Sequence, residues 1–121
     1  MTVQEHIAQA AAFERAARLA IDGGRRRDLW FRAGRAYEAA AATLQASVQE
    51  DAADAPELLR RAALLAREAA SRYRAAGEPA IASQVAVIAD HLAVQAAQLV
   101  ERWRQAELRA RQFDRAPNAP R

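Results

Sequence analysis

Two histidines, three serines, a set of carboxylates and a run of arginines are the residues of this chain whose types could do chemistry. A di-iron bundle needs inward glutamates and Glu-x-x-His motifs, and neither His6 nor His91 has a glutamate three positions before it. Asp90 and His91 are adjacent, which swings their side chains about 100° apart around a helix. Ser47, Ser71 and Ser83 lack the glycine elbow that exposes a serine nucleophile. No cysteine is present, which removes disulfides, thiolate ligands and a cysteine nucleophile. Within helical stretches, five of the 15 carboxylates sit four residues before an arginine, in Glu14/Arg18, Asp28/Arg32, Glu57/Arg61, Glu68/Arg72 and Glu107/Arg111. Such pairs support a helix by about 0.2–0.5 kcal/mol each and leave no free acid–base dyad. Gly23-Gly24 has no strand before it, so it is not a phosphate-cradling loop. The expectation is a non-enzyme with no catalytic, cofactor-binding or metal-binding residues.

All 18 basic residues are arginine. Arg25-Arg26-Arg27 opens a helix after a glycine turn, against the sense of the helix dipole, and so calls for compensation. A phosphate would provide it, and so would Asp22, Asp28 or water. The net charge of +3 belongs to residues 101–121, where six arginines face Glu101, Glu107 and Asp114, while the first 100 residues balance. That is too little for a dedicated nucleic-acid face but enough for weak, salt-sensitive association through an arginine-rich C-terminal arm.

These residues are positioned by helices. With 121 residues, 52% hydrophobic and 27% charged, the composition is that of one globular domain. Alanine dominates, and Gly (4) and Pro (4) are scarce. Alanine loses no side-chain entropy in a helix, and its small side chain demands close helix–helix approach. Apolar spacing of three and four predicts four helices, at about 2–21, 26–49, 55–76 and 79–113, followed by a disordered basic tail at 114–121. Gly23-Gly24 is expected to end the first helix in a left-handed turn. Asp54-x-x-Glu57 with Pro56 is expected to cap the third. No basic leader and no unbroken apolar run of about 20 residues is present, so the expected setting is cytoplasmic, with no membrane.

Within helix 2, Trp30-x-x-Ala33-Gly34-x-x-Tyr37 resembles the first-helix signature of tetratricopeptide repeats, with alanine where leucine is usual. Ala69-x-x-x-Tyr73-x-x-Ala76-Gly77-Glu78 is similar to that family's second-helix pattern. The two halves lie 32 positions apart from Tyr37 to Ala69, against about ten in a standard repeat. That spacing looks like the longer-helix, SNAP-like arrays, and the resemblance covers about residues 30–78. Two all-α arrangements stay open, a tetratricopeptide-like array of antiparallel hairpins and a plain four-helix bundle. The resemblance implies a non-catalytic adaptor or scaffold that binds a protein, with Phe31, Arg35 and Glu38 facing the ligand.

The core is expected to contain Trp30, Tyr37, Leu44, Leu59, Tyr73, Ile81, Val85, Ile88 and Leu92, with Gly34 at a close helix crossing. Helix 4 should outreach its neighbours by about 15–20 Å. Its stripe steps through 81, 85, 88, 92, 96, 99, 103, 106, 110 and 113, a heptad pattern with one stutter after Leu92. An exposed stripe of Leu99, Trp103, Ala106, Ala110 and Phe113 is expected to mark an interface, with a second copy as its partner.

Overall fold

In the computed structural model, which describes residues 1–114, α1 spans Val3–Leu19, α2 Gly23–Ala46, α3 Ala55–Ala75 and α4 Pro79–Asp114. The chain is all-α. The Thr2 hydroxyl accepts from the Glu5 N–H at 3.1 Å and the Glu5 carboxylate accepts from the Thr2 N–H at 2.9 Å. This reciprocal box satisfies two amide donors at the start of α1. It also holds the Glu5 carboxyl below the usual carboxylate range, first through the Thr2 backbone N–H and then through its hydroxyl.

The glycine pair does not end α1. Ala20 is extended (φ −71°, ψ 131°), and Asp22 caps α2 by accepting from the Arg25 N–H at 2.8 Å. Gly23 and Gly24 thus form the first turn of α2. The α1 terminus is instead closed by the Arg26 guanidinium, which donates to Ala20 O at 2.9 and 3.2 Å and to Ile21 O at 3.3 Å. At the α3 terminus Gly77 does take a left-handed turn (φ 78°). There Glu78 N–H donates to Tyr73 O at 2.9 Å and Gly77 N–H to Arg74 O at 3.0 Å, a Schellman closure that turns the chain into α4. The Asp54 side chain makes no capping bond, because its backbone (φ −90°, ψ 1°) is not extended as an N-cap requires. The expected basic tail, residues 115–121, lies outside the described residues, and α4 continues through Asp114.

The helices pack in chain order, α1 on α2, α2 on α3 and α3 on α4. A closed four-helix ring would also pack α1 along α4, and no such extensive contact is present among the described residues. The architecture is an open row of antiparallel hairpins, with α2 and α3 in the interior and α1 and α4 at the edges. An interior helix must bury two faces. In α3 the stripe Leu59, Ala62, Ala66, Ala69 and Tyr73 is buried, continuing to the C-cap Ala76, and Pro56, Ala63 and Ala70 add a second at seven-residue spacing. In α2, Leu29, Ala33, Ala36 and Ala40 form one stripe, while Gly34 and Ala41 turn toward α3.

Gly34 sits at the expected crossing: a Cβ there would lie 3.1–3.2 Å from the Tyr73 ring. The edge helix α4 departs from expectation. Ala82 and Ala89 are buried where Ile81 and Ile88 were expected, Ile81 is half-buried and Ile88 is 46% exposed. With only α3 to pack on, α4 puts its smallest side chains at the line of closest approach and its isoleucines beside it. Trp30 and Tyr37 are likewise half-buried rather than enclosed.

Leu44, Leu59, Leu92, Ala96 and Leu99 form the aliphatic half of the core, with Trp103 packed on its rim. Beyond Trp103 every described residue is exposed. At 1.5 Å per residue the eleven residues 104–114 project about 16 Å past the body. Between Pro79 and Val100 α4 carries one charged side chain, Asp90, and by length and composition it is long and apolar enough to cross a membrane. Its Val85, Ala89, Leu92, Ala96 and Leu99 face is buried within the row.

Candidate functional site

The helix row leaves one side of α2 uncovered. Asp28, Phe31, Arg32, Arg35, Glu38, Ala39 and Ala42 repeat at three- and four-residue spacing and so share that side. α1 contributes His6, Gln9 and Phe13 as one wall of a groove of about 480 Å³ over Phe31, Arg35 and Ala39. α3 contributes Tyr73 to the other side, where Phe31, Arg35, Glu38, Ala39 and Ala42 line the continuing depression. The structure thus places Phe31, Arg35 and Glu38 along this one side of α2.

Each of the three is held differently. Phe31 meets the Tyr73 ring edge-on at 5.3 Å between centroids, the geometry that the ring quadrupole favours. Tyr73 is 2% exposed and donates its hydroxyl to Glu38 Oε1 at 2.6 Å. Burial, then that hydrogen bond, then the Glu38 charge push the phenol well above its ordinary range. Glu38 is thereby fixed in place. Arg35 is exposed and has no carboxylate within salt-bridge distance among the described residues, whereas neighbouring Arg32 is paired with Asp28 at 3.0 Å.

On another side of α2 lies a polar cluster that sequence reasoning missed. Glu14 of α1 is 8% exposed and accepts from Arg72 of α3, which also donates to Glu68. The Arg72 guanidinium lies 5.0 Å from the centre of the Tyr37 ring. Arg18 stands 4.0 Å from Glu14 and 5.7 Å from the Trp30 ring centre. For Arg72, burial pulls its pKa down, but the hydrogen bond and charge of Glu14 outweigh it, so the net shift is upward. Tyr37 is also raised, by burial first and then by the Glu14 charge. The signal was present in the sequence: Glu14 stands four after Ala10 and three before Ala17, inside the buried stripe of α1. These groups link α1 to α3 across α2, and their charges are mutually satisfied, so the cluster has a structural role.

The α4 stripe divides. Leu99 is 3% exposed and belongs to the core, which corrects its expected place at an interface. Trp103 is half-buried, and Ala106, Ala110 and Phe113 are exposed. Among the described residues, three of the arm's four arginines are engaged. Arg102 pairs with Glu50 at 3.8 Å, Arg104 with Glu101 at 3.1 Å and Arg111 with Glu107 at 2.6 Å. Arg104 and Gln105 together hold the Glu101 carboxyl low. Of the expected i,i+4 pairs, Glu57 takes Arg60 at 3.5 Å in place of Arg61, and Glu14 takes Arg72 ahead of Arg18.

Among the described residues no cluster of three or more histidines and carboxylates could hold a metal ion. No family model, curated protein or solved structure matches the chain.

Proposed function

We propose that this chain is a non-catalytic helical module that binds a protein segment in the groove over α2. The observation that carries the reading is the open side of α2, where Arg35, unpaired among the described residues, lines a depression with the Phe31–Tyr73 aromatic pair and with Ala39 and Ala42. That chemistry suits a segment with an acidic side chain beside an apolar one, since an exposed arginine adjoining apolar area gives both orientation and burial. The groove is walled by three helices fixed to one another through Glu14–Arg72 and Gly34–Tyr73, so it is preorganised. The tetratricopeptide-like reading belongs to the same proposal and is supported by the Gly34 crossing and by packing in chain order. A cytoplasmic setting belongs to the same proposal: α4 packs Val85, Ala89, Leu92, Ala96 and Leu99 on α3, although Val87, Ile88, Val94 and Val100 are exposed. The nucleic-acid reading loses support because Arg102, Arg104 and Arg111 each have a carboxylate partner and Arg26 is spent on closing α1.

The test compares affinity capture by the wild type with capture by Ala39→Arg and Arg35→Glu, each checked for unchanged helicity and melting. A partner retained by the wild type and lost by both variants is the expected result. Capture of nucleic acid alone, released at high salt and indifferent to both substitutions, would overturn the proposal.

A further inference from the structure

The projecting end of α4 is a second surface, independent of the groove. We propose that it pairs antiparallel with the same segment of a second copy, giving a two-fold dimer centred on Ala106.

The orientation follows from the fold. α3 runs antiparallel to α4 and begins at Ala55, so the empty space against Ala106, Ala110 and Phe113 lies in line with α3. A second α4 entering that space parallel to the first would run back into α3 and the 47–54 turn. An antiparallel one extends the α3–α4 packing outward and meets nothing. The register follows from Leu99, Ala106 and Phe113. Reversed about position 106 these three map onto one another, so Ala106 meets its own copy and Phe113 faces Leu99, while Trp103 lies opposite the second copy's Arg109 and Ala110 opposite its Arg102.

Beside Leu99 there is a place to receive that ring. Glu50, Leu59, Gln95, Gln98, Leu99, Glu101 and Arg102 surround a depression of about 560 Å³ at the base of the projection. Charge supports the same register. Arg102 reaches the acidic turn through Glu50, and seven residues on, Arg109 occupies the same side of α4 with no carboxylate in range among the described residues. Antiparallel pairing brings Arg109 of each copy to the partner's turn, whose Asp51 and Asp54 make no ion pair among the described residues. Each projection is short, so the interface falls at the small end of specific contacts, and the expected dissociation constant is on the order of 10–100 μM.

Sedimentation equilibrium of the full chain up to about 1 mM at low and high salt tests this. A monomer–dimer equilibrium that weakens with salt is expected, with Phe113→Glu and Arg109→Glu each weakening it at least about tenfold at unchanged helicity. Asp51→Arg should restore pairing to Arg109→Glu. The chain has no native cysteine, so Ala106→Cys should oxidise to a cross-linked dimer, because the axis brings the two positions within disulfide range. Ala39→Arg should leave the dimer intact, which separates this proposal from the groove. A monomer at 1 mM, a dimer indifferent to Phe113→Glu, or cross-linking through Val94→Cys in place of Ala106→Cys would overturn it. So would a chain that stays monomeric and floats with lipid vesicles.

Discussion

Tyr73 and Phe113 each stand on the apolar stripe of a helix, yet the first is 2% exposed and the second 78%. Around Tyr73, α2 and α3 meet at the Gly34 crossing, Phe31 and Glu38 fix the ring, and the Glu14–Arg72 bridge ties on α1. Around Phe113 no described helix lies alongside. The periodicity is the same in both places. A stripe says which face of a helix wants cover, whereas cover depends on how far the neighbouring helix runs.

Substitutions at the junction should therefore be costly. Tyr73→Ala removes the ring that fills the Gly34 crossing and backs Phe31, and should destabilise the fold by about 3–5 kcal/mol in denaturant titration. A loss below about 1 kcal/mol would mean that the junction relaxes like a surface. Arg72→Met leaves Glu14 buried without its main partner and should cost about 2–4 kcal/mol. The double variant Glu14→Leu/Arg72→Met should recover much of that loss, since an apolar pair avoids desolvating two charges. Additive losses in that cycle would show that the bridge does not couple α1 to α3. Gly34→Leu should cost about 1–3 kcal/mol or more through overpacking, because the Tyr73 ring is held on both sides and cannot move aside. An unchanged melting temperature would place the glycine in open space.

Much of this contrast was legible in the sequence, and the exceptions share a cause. Leu59 and Tyr73 of α3 were read correctly because an interior helix buries whatever its periodicity offers. The Gly34 crossing was expected from the tetratricopeptide-like pattern Trp30-x-x-Ala33-Gly34-x-x-Tyr37, and a Cβ at Gly34 would indeed press on the Tyr73 ring. Glu14 and Arg72 were read as members of surface i,i+4 pairs because spacing along one helix is local, while their meeting depends on the α1–α3 separation. Ile88 was misplaced because hydrophobicity favours the isoleucine, while a helix packed on one neighbour buries the small residue at closest approach, Ala89. The glycine pair misled for a third reason: Asp22 caps α2 and Arg26 closes α1, so no left-handed residue is needed there. Phe31, Arg35 and Glu38 share one side of α2, which spacing along the helix gives, whereas the openness of that side depends on where α1 and α3 lie, which spacing does not give.

Alkaline pH should separate the two regions more gently. The Tyr73 phenol has a folded pKa above its ordinary value near 10, so its stabilising effect is fully present below about pH 10 and fades as pH rises through the folded value. Tyr37 is shifted in the same direction and adds to the loss. Melting temperatures measured from pH 8 upward should fall once pH passes about 10, and Tyr73→Phe should flatten that fall. An equally steep fall in Tyr73→Phe would assign the alkaline loss to other groups.

The smallest effect is expected where the stripe is uncovered. At low micromolar concentration, where the chain is monomeric, Phe113→Ser removes a ring that touches little besides solvent and its own helix. The change in stability should stay within about 0.5 kcal/mol, as for other surface substitutions. Position 113 repeats the three- and four-residue spacing of Leu92, Ala96 and Leu99, so periodicity alone would assign it a loss of core size, about 3–5 kcal/mol for a phenylalanine. The two readings differ by enough to be separated in a single chemical denaturation series. A loss of core size would mean that the end of α4 folds back onto the body in solution, and the distinction between Tyr73 and Phe113 would collapse. A neutral result at low concentration, together with lost self-association at high concentration, assigns the ring a role between molecules and none within one.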